Sequence, residues 1–239
     1  MTKLVTIATS LLVIVLLVAA CGKKAGGSCK GSESSCFDKK TALSCQGGKF
    51  VSVSCAGPLG CTKFQEHANC DTSVANEGDL CMGDGEDEYA CSPDRKRAVV
   101  CKSGKYERYL ECRGKGRCSV LGHTISCDTS VAAKGDPCKS QGTVACTEDQ
   151  KMMLTCRDGK FDLYRYCRGM YGCFMKGESP SCDETLSMEG DPCGIPGQVV
   201  CNVDGSSELV CQNGSFGRSR SCKKGCRVTN GPGRPIECN

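Results

Sequence analysis

The sequence predicts an all-β protein of small disulfide-rich modules: four tandem six-cysteine repeats of short antiparallel hairpins forming an elongated array. The composition is the first indication, since the 239 residues include 25 cysteines and 30 glycines but no tryptophan, which is typical of a disulfide scaffold. The second is the recurrence of cysteine sets with a period of about 55 residues, as in repeat proteins. The third is a hairpin signal, a two-residue turn between a cysteine and an aromatic residue, in every repeat.

The first 28 residues have the pattern of an export and attachment segment. Lys3 precedes an apolar stretch that continues to Ala20, so we expect residues 1–20 to be a lipoprotein signal peptide. The stretch Val18-Ala19-Ala20-Cys21 resembles the bacterial lipobox. That resemblance implies cleavage before Cys21 and a diacylglycerol anchor on its sulfur, and it leaves an even number of cysteines for disulfides. Residues 21–28 would then be the lipidated cysteine and a flexible tether.

Two alternatives stay open for this segment: an ordinary cleaved signal in which Cys21 is incidental, and an uncleaved single-pass anchor. An apolar run of about 17 residues is short for a membrane span. The lipidated form would belong to a bacterial cell envelope and would contact the membrane through the lipid on Cys21. Because Gly22 is not the aspartate that retains enteric lipoproteins at the inner membrane, the analogy favours the outer membrane, on its periplasmic or surface face.

The other 24 cysteines define four modules, which we place at residues 29–70, 71–127, 128–182 and 183–239, the last three including a connector. We expect all of them to be half-cystines, because an exported chain favours disulfides. In chain order they are Cys29, Cys36, Cys45, Cys55, Cys61, Cys70; Cys81, Cys91, Cys101, Cys112, Cys118, Cys127; Cys138, Cys146, Cys156, Cys167, Cys173, Cys182; and Cys193, Cys201, Cys211, Cys222, Cys226, Cys238.

Six cysteines allow 15 pairings. We favour first with third, second with fourth and fifth with sixth, because the last pair encloses a local hairpin. A zinc site is the alternative, but no Cys-x-x-Cys supplies a close ligand pair, and His67 and His123 occur in two of the four repeats only. We expect no metal and no cofactor. The acidic stretch Met82–Glu88 is expected to be a solvated insertion, with calcium binding as the alternative.

The hairpin at residues 154–167 shows the predicted local structure most clearly. Asp158-Gly159 suits a type I′ turn, since both positions need positive φ, and this turn places Cys156 opposite Phe161. By strand alternation Cys167 would share the apolar face of Phe161.

The step from the hairpin aromatic to the fourth cysteine is six residues in modules 2, 3 and 4. In module 1 it is five, from Phe50 to Cys55. We therefore expect a β-bulge or a register change in module 1.

Ten residues separate consecutive modules each time, in connectors of similar sequence at 71–80, 128–137 and 183–192. Equal length favours a defined geometry over a flexible linker, and hence a semi-rigid array. We expect one helical turn in each connector, with the N-cap, an anchoring apolar residue and a terminating glycine. These are Asp71, Val74 and Gly78; Asp128, Val131 and Gly135; and Asp183, Leu186 and Gly190.

Charge and motifs exclude several function classes. The net charge is only +4, and no basic cluster is interleaved with stacking aromatics, so nucleic acid is not an expected partner. No motif of a known catalytic mechanism occurs, so we expect a non-enzymatic protein. The first module, from Gly22 to Cys70, carries seven lysines against three acids, whereas the others are close to neutral. It could rest on anionic headgroups or lipopolysaccharide phosphates, and a merely solvated basic surface is the alternative.

We expect the array to serve in binding, adhesion or surface interaction, with another envelope or surface protein or a polysaccharide as partner. The candidate contact residues are Tyr109, Tyr164, Arg165, Tyr166 and Tyr171. Strand alternation places Tyr164 and Tyr166 opposite the cysteine face, where covering a neighbouring module is the alternative role. A multi-module protease inhibitor is the second functional interpretation, since small disulfide modules often present a rigid loop.

The lipobox, the Cys-x-x-Gly-Lys-Phe type of hairpin and the Cys-Asp-Thr-Ser-Val-Ala connector together resemble cysteine-rich repeat lipoproteins of myxobacterial type. The resemblance covers the full length and consists mostly of cysteine spacing. It implies a location in the cell envelope rather than an activity.

Overall fold

The computed structural model describes residues 23–82, 88–122, 124–177, 179–229 and 236–239, and within these ranges the chain forms strands and turns without a helix. Twelve disulfides lie in this part, and each joins two cysteines of the same module. The predicted all-β array of disulfide-rich modules is therefore confirmed. None of the described residues belongs to a helix that could span a bilayer. The predicted signal peptide, Cys21, most of the acidic stretch and His123 lie outside the described residues.

Each module consists of a three-stranded antiparallel meander followed by a two-stranded hairpin. Module 1 contains β1 (Ser34–Asp38), β2 (Thr41–Gln46), β3 (Lys49–Ser54), β4 (Cys61–Phe64) and β5 (His67–Cys70). Module 2 contains β6 (Tyr89–Cys91), β7 (Arg97–Lys102), β8 (Lys105–Glu111), β9 (Cys118–Leu121) and β10 (Thr124–Cys127). Module 3 contains β11 (Val144–Cys146), β12 (Met152–Arg157), β13 (Lys160–Tyr166), β14 (Cys173–Lys176) and β15 (Ser179–Cys182). Module 4 contains β16 (Leu186–Ser187), β17 (Val199–Asn202), β18 (Ser207–Gln212), β19 (Ser215–Ser221), β20 (Cys226–Val228) and β21 (Ile236–Cys238), with β16 parallel to β17.

The predicted turn joins the second and third meander strands of every module. In module 3, φ is 51° at Asp158 and 77° at Gly159, as a type I′ turn requires, and Cys156 pairs with Phe161 across the ladder. The same pairing of a half-cystine with an aromatic residue recurs at Cys45–Phe50, Cys101–Tyr106 and Cys211–Phe216. Local turn chemistry alone therefore fixes the register of the central hairpin.

The disulfides follow one pattern in all modules: first to third, second to fifth and fourth to sixth. In module 3 the bonds are Cys138–Cys156, Cys146–Cys173 and Cys167–Cys182. The favoured first-to-third pairing is confirmed, and the other two favoured pairings are wrong. The fifth and sixth cysteines do stand opposite each other on the last hairpin. The hydrogen bonds of that ladder already close the hairpin, so a disulfide between its own two cysteines would add no link to the meander. The observed bonds from Cys146 and Cys167 attach the hairpin to the meander.

The meander buries side chains on both faces, which gives modules 2 and 3 two small cores each. In module 3 the first core contains Leu154, Cys156 and Phe161, and the second contains Met153, Cys167 and three further half-cystines. Cys167 therefore lies on the face opposite Phe161, and the predicted shared face is wrong. The cause is a bulge in the ladder between Met153 and Leu154, which reverses the alternation of the residues that follow on β13.

The prediction of a bulge between Phe50 and Cys55 of module 1 is wrong, because the bulges lie in the other three modules. The β2–β3 ladder is regular, whereas the corresponding ladders of modules 2, 3 and 4 are bulged. The fourth cysteine lies on the face of the sheet opposite to that of the hairpin aromatic residue, as Cys167 and Phe161 show. A step of five residues, from Phe50 to Cys55, achieves this by alternation alone, and a step of six needs one extra residue out of register. The register shift of module 1 occurs instead on β1, between Cys36 and Asp38.

The connectors have a defined geometry, but they contain no helical turn. In the second connector the Asp128 carboxylate accepts a hydrogen bond from the Ser130 amide, and Val131 forms a parallel bridge with Cys146. Ala132 rather than Val131 enters the core, and Gly135, with φ of 91°, donates to the Phe161 carbonyl. From Ser130 onwards, the other backbone bonds of the connector run to the module that follows, and the one within it, from the Asp136 amide to the Ala133 carbonyl, closes a tight turn. Each connector is the first segment of the module that follows it.

The predicted tether is partly folded in the same way. The Gly26 amide donates to the Phe50 carbonyl at 2.8 Å, the Phe50 amide donates to the Gly27 carbonyl, and the Gly27 amide donates to the Lys24 carbonyl. Residues 24–28 therefore occupy the place that a connector has in the other modules.

Salt bridges join module 2 to module 3 and module 3 to module 4. Arg113 contacts Asp136 at 2.8 Å, and Arg168 contacts Asp191 at 2.7 Å. Each arginine follows a fourth cysteine, and each aspartate lies near the end of the next connector. Module 1 has Ala56 at the arginine position. The Gln46 side-chain amide of module 1 bonds instead to the Cys81 carbonyl of module 2, at 2.9 Å.

Candidate functional site

The loop between the fourth and fifth cysteines, here called the apex loop, is held by an aspartate of the following connector, here called the clamp aspartate. In module 3 the clamp aspartate is Asp183. Its carboxylate accepts from the amides of Tyr171 and Thr185, at 3.2 and 3.1 Å. Its backbone accepts from Gly169 and donates to Gly172. Side chain and backbone together therefore hold the loop in one conformation.

Modules 1 and 2 repeat this arrangement. Asp71 accepts from the amides of Leu59 and Ser73, and Asp128 accepts from those of Gly116 and Ser130. Burial raises the pKa of both carboxyls, but the hydrogen bonds from these amides and from the Ser73 and Ser130 side chains lower it by more, so the net pKa lies below the usual range. Both clamp aspartates are therefore held as carboxylates.

A glycine under the carboxylate makes the clamp sterically possible. A Cβ atom at Gly57, Gly114 or Gly169 would overlap the carboxylate of the clamp aspartate. These glycines are the third residue of the repeated Cys-x-Gly sequence, and the clamp explains why that sequence is followed by an aspartate directly after the sixth cysteine. Module 4 lacks both features. Its loop from Cys222 to Cys226 is two residues shorter, and its Lys224 amide donates to the Asn239 carbonyl.

The residues at the top of the apex loop differ between modules although the backbone is held alike. They are Pro58-Leu59 in module 1, Lys115-Gly116 in module 2 and Met170-Tyr171 in module 3. Leu59 is 76% exposed and Met170 is 81% exposed, so neither side chain contributes to a core. A fixed backbone with exchangeable, exposed side chains is the arrangement expected of a contact surface.

Module 3 carries the largest apolar group at this position, here called the module 3 patch: Met170, Tyr171, Phe174 and Met175. All four side chains are exposed, and the Tyr171 and Phe174 rings meet edge to face with centroids 6.2 Å apart. Phe174 and Met175 line a groove of about 940 Å³ that continues onto module 2. Met170 and Tyr171 line a second groove of about 630 Å³ that reaches Val203 of module 4.

Three of the five predicted contact residues lie at junctions between modules. Tyr109 packs against Tyr89, with ring centroids 4.9 Å apart, and Lys139 of module 3 lies 4.2 Å from the Tyr109 centroid. Arg165 forms a salt bridge of 2.8 Å with Glu184 and also bonds to the Tyr164 hydroxyl.

Burial explains the electrostatics of that second junction. It raises the pKa of Glu184, although Arg165 opposes the rise. The structure thus places these residues between modules, where Arg165 and Glu184 are both largely enclosed.

Of the remaining two predicted residues, Tyr171 is exposed and Tyr166 is half-buried. Tyr166 is partly covered by the Arg168 guanidinium, 4.5 Å from the ring centroid, and Tyr171 is 59% exposed. Tyr171 alone of the five belongs to the module 3 patch. The sequence analysis did not select Met170, Phe174 or Met175. Aligning the three loops after Cys-x-Gly would have identified Met170, because that is where these repeats differ most.

One cluster has the residue types of a metal site. A sulfur of Cys81, a sulfur of Cys101 and a carboxylate oxygen of Glu88 lie within 4.8 Å of one another. The two sulfurs are joined in a disulfide, so neither is a thiolate ligand. The carboxylate accepts from the hydroxyls of Tyr106 and Thr72, both at 2.6 Å. Burial, with this carboxylate as hydrogen-bond partner, raises the pKa of Tyr106. The cluster is therefore part of the module 2 core.

No protein-family model matches the chain, and neither the curated proteins nor the solved structures contain a match to it. The functional argument therefore depends on the geometry of the chain itself. Twelve disulfides in a chain of this length indicate an oxidising, extracytoplasmic location.

Proposed function

We propose that this protein is a non-enzymatic lipoprotein of the bacterial cell envelope, attached to the outer membrane through Cys21, that binds another envelope or surface protein through its apex loops. The observation that carries the binding function is the clamped loop. Three modules hold the same backbone with the same aspartate and glycine, yet expose different side chains. The clamp stabilises the fold of each of these modules. The apex side chains are not needed for that fold, so their differences can serve to recognise a partner.

The module 3 patch is the strongest candidate contact. Exposed groups of methionine and aromatic side chains are typical of protein interaction surfaces. A protein partner suits this patch better than a polysaccharide, because Met170 and Met175 offer no hydrogen-bond donors for hydroxyl groups. Tyr171 and Phe174 supply the rigid apolar area that interface centres favour.

Site-specific photo-cross-linking in intact cells tests this function. A photoreactive residue at Met170 should give a discrete cross-linked product. The matched control places the same residue at Met188, which is also an exposed methionine, in the third connector. Equal products at the two positions, or none at Met170, would refute the proposal.

Attachment is tested separately by metabolic labelling with an alkyne fatty acid. The wild-type chain should carry the label, and Cys21→Ser should abolish it. A labelled Cys21→Ser chain would disprove the anchor without affecting the cross-linking result.

A multi-module protease inhibitor is the second candidate function. It is favoured by one observation: the apex loop is bounded by two half-cystines and clamped by a carboxylate, as a loop that must resist cleavage would be. Lys115 of module 2 would then be the residue presented to a trypsin-like enzyme. Slow, tight inhibition that is lost in Lys115→Ala but kept in Lys105→Ala would support this function, and rapid cleavage after Lys115 would exclude it.

A further inference from the structure

Module 1 exposes an aromatic ring after its second cysteine, at a position where modules 2 and 3 bury a hydroxyl group. Phe37 is the residue displaced by the register shift on β1, and it is 64% exposed. The residues after the second cysteine of modules 2 and 3 are Ser92 and Thr147, which are buried and bond to the aspartate two residues on. The bulge in module 1 therefore replaces a buried hydroxyl with an outward-facing ring.

A second exposed ring lies on the last hairpin of module 1, whose strands β4 and β5 pack against β1. Phe64 ends β4 at the tip of the last hairpin and is 68% exposed. Lys63, beside it in sequence, lines a groove of about 600 Å³ together with Phe37, Glu66 and His67. The β1–β2 turn adds Lys39 and Lys40, both exposed. We call Phe37, Lys39, Lys40, Lys63 and Phe64 the basic aromatic face.

We propose that the basic aromatic face binds the surface of an anionic phospholipid bilayer. Lysines near a membrane surface are attracted by anionic headgroups, and exposed phenylalanines gain by entering the boundary of the acyl chains. Charge complementarity selects this occupant, because the first module has four more lysines than acids, whereas modules 2, 3 and 4 have net charges of −1, +1 and −1.

The place of the module in the chain agrees with this occupant. Lys24 already belongs to module 1, since its carbonyl accepts from the Gly27 amide. Only two residues separate it from Cys21, so an extended link reaches at most about 10 Å. This step relies on the proposed anchor. With the anchor in place, module 1 is the module held against the membrane, and the apex loop of module 3 is carried two modules further along the chain.

Vesicle binding of the unlipidated protein tests the inference independently of the anchor and of any protein partner. All described strands and disulfides lie within residues 23–239, so a soluble chain that begins at Gly22 keeps every module. We expect it to bind vesicles of phosphatidylcholine with phosphatidylglycerol and to bind pure phosphatidylcholine vesicles far more weakly. Raising the salt concentration should release it, because surface charges are screened.

Two sets of variants separate the charge from the aromatic contribution. Replacing Lys39, Lys40 and Lys63 by glutamine should lower the partition constant about 100-fold, at about fivefold for each lysine. The matched control replaces three exposed lysines of module 2, Lys102, Lys105 and Lys115, and should change binding less than the first set.

The aromatic set is Phe37→Ser with Phe64→Ser, which should lower binding about tenfold or more. Its control is Leu121→Ser, at the position in module 2 that corresponds to Phe64; Leu121 is 86% exposed. Equal losses from the control variants would overturn the inference. Binding that is insensitive to the two phenylalanines and equally strong to heparin would assign a polyanion site instead of a bilayer face.

Discussion

Gly114→Ala in module 2 should be far more destabilising than an ordinary glycine substitution in a loop. The new Cβ would overlap the Asp128 carboxylate, which must then leave the amides of Gly116 and Ser130, now at 2.8 and 3.0 Å. Hydrogen bonds to a charged group contribute about 1.5 kcal/mol each at the lower end of their range, which suits a half-exposed aspartate, so we expect a loss of about 3 kcal/mol.

A double-mutant cycle isolates the cause of that loss. Asp128→Ala should itself cost about 3 kcal/mol, since it removes the same two bonds. In the Asp128→Ala background, Gly114→Ala should cost almost nothing further, because the obstructing carboxylate is gone. The control is Gly217→Ala, whose Cβ would have no atom within 4 Å.

Hydrogen exchange measured peptide by peptide is the suitable assay, because an array of modules does not unfold in one two-state step. The peptides that contain Gly116 and Ser130 should lose protection, while those of module 4 should keep it. If Gly114→Ala costs no more than Gly217→Ala, or costs the same with and without the Asp128 carboxylate, the clamp is not what holds the loop.

Three further predictions concern stability. In modules 1 and 2 the hydrogen bonds to the clamp aspartate outweigh burial and lower its pKa. The stabilisation by these carboxylates is therefore complete above about pH 4, the unfolded pKa, and is lost as pH falls through the lower folded value. Asparagine variants should flatten that part of an acid titration followed by hydrogen exchange. Arg168→Ala should broaden the distance between spin labels in modules 3 and 4, because it removes the partner of the largely buried Asp191, whereas Arg218→Ala, which breaks an exposed pair, should not. Replacing Cys138 and Cys156 by serine opens a loop with a sequence separation of 18 and should cost module 3 about 3 kcal/mol in hydrogen exchange, and unchanged protection would show that this bond is not structural.

The hairpins were predictable because their information is local. Asp158-Gly159 specifies its own turn, and that turn fixes the partner of Cys156 without reference to the rest of the chain. The cysteine sets were equally accessible, since a repeat period needs no three-dimensional knowledge. For the same reason the all-β array could be inferred before the structure.

The pairing of the fourth cysteine was not predictable from alternation. A single displaced residue, Tyr164 in module 3, moves Cys167 to the other face of the sheet, and nothing in the sequence around Tyr164 marks a bulge. The prediction of a helical turn in each connector was wrong for a related reason. An aspartate that bonds to the amide two residues ahead is compatible with a helix N-cap, and only the strand of the next module, through Cys146 and its equivalents, draws the chain into an extended path instead.

The candidate site was predictable only in part. Tyr171 and Arg165 were both selected as exposed aromatic or basic side chains, but Arg165 lies against Glu184 at a junction. A single sequence shows which side chains are large or charged. It does not show which of them a neighbouring module covers.

Exchange of the apex residues is the most direct test of the central claim, that the clamp serves the fold and the apex serves recognition. The variant replaces Met170-Tyr171 by the Lys-Gly of module 2. We predict that protection of module 3 from hydrogen exchange stays within about 0.5 kcal/mol of wild type, as for surface substitutions, while cross-linking from a photoreactive residue at Met175 disappears. Loss of protection would make these residues structural, and undiminished cross-linking would place the partner elsewhere; either result would contradict the account.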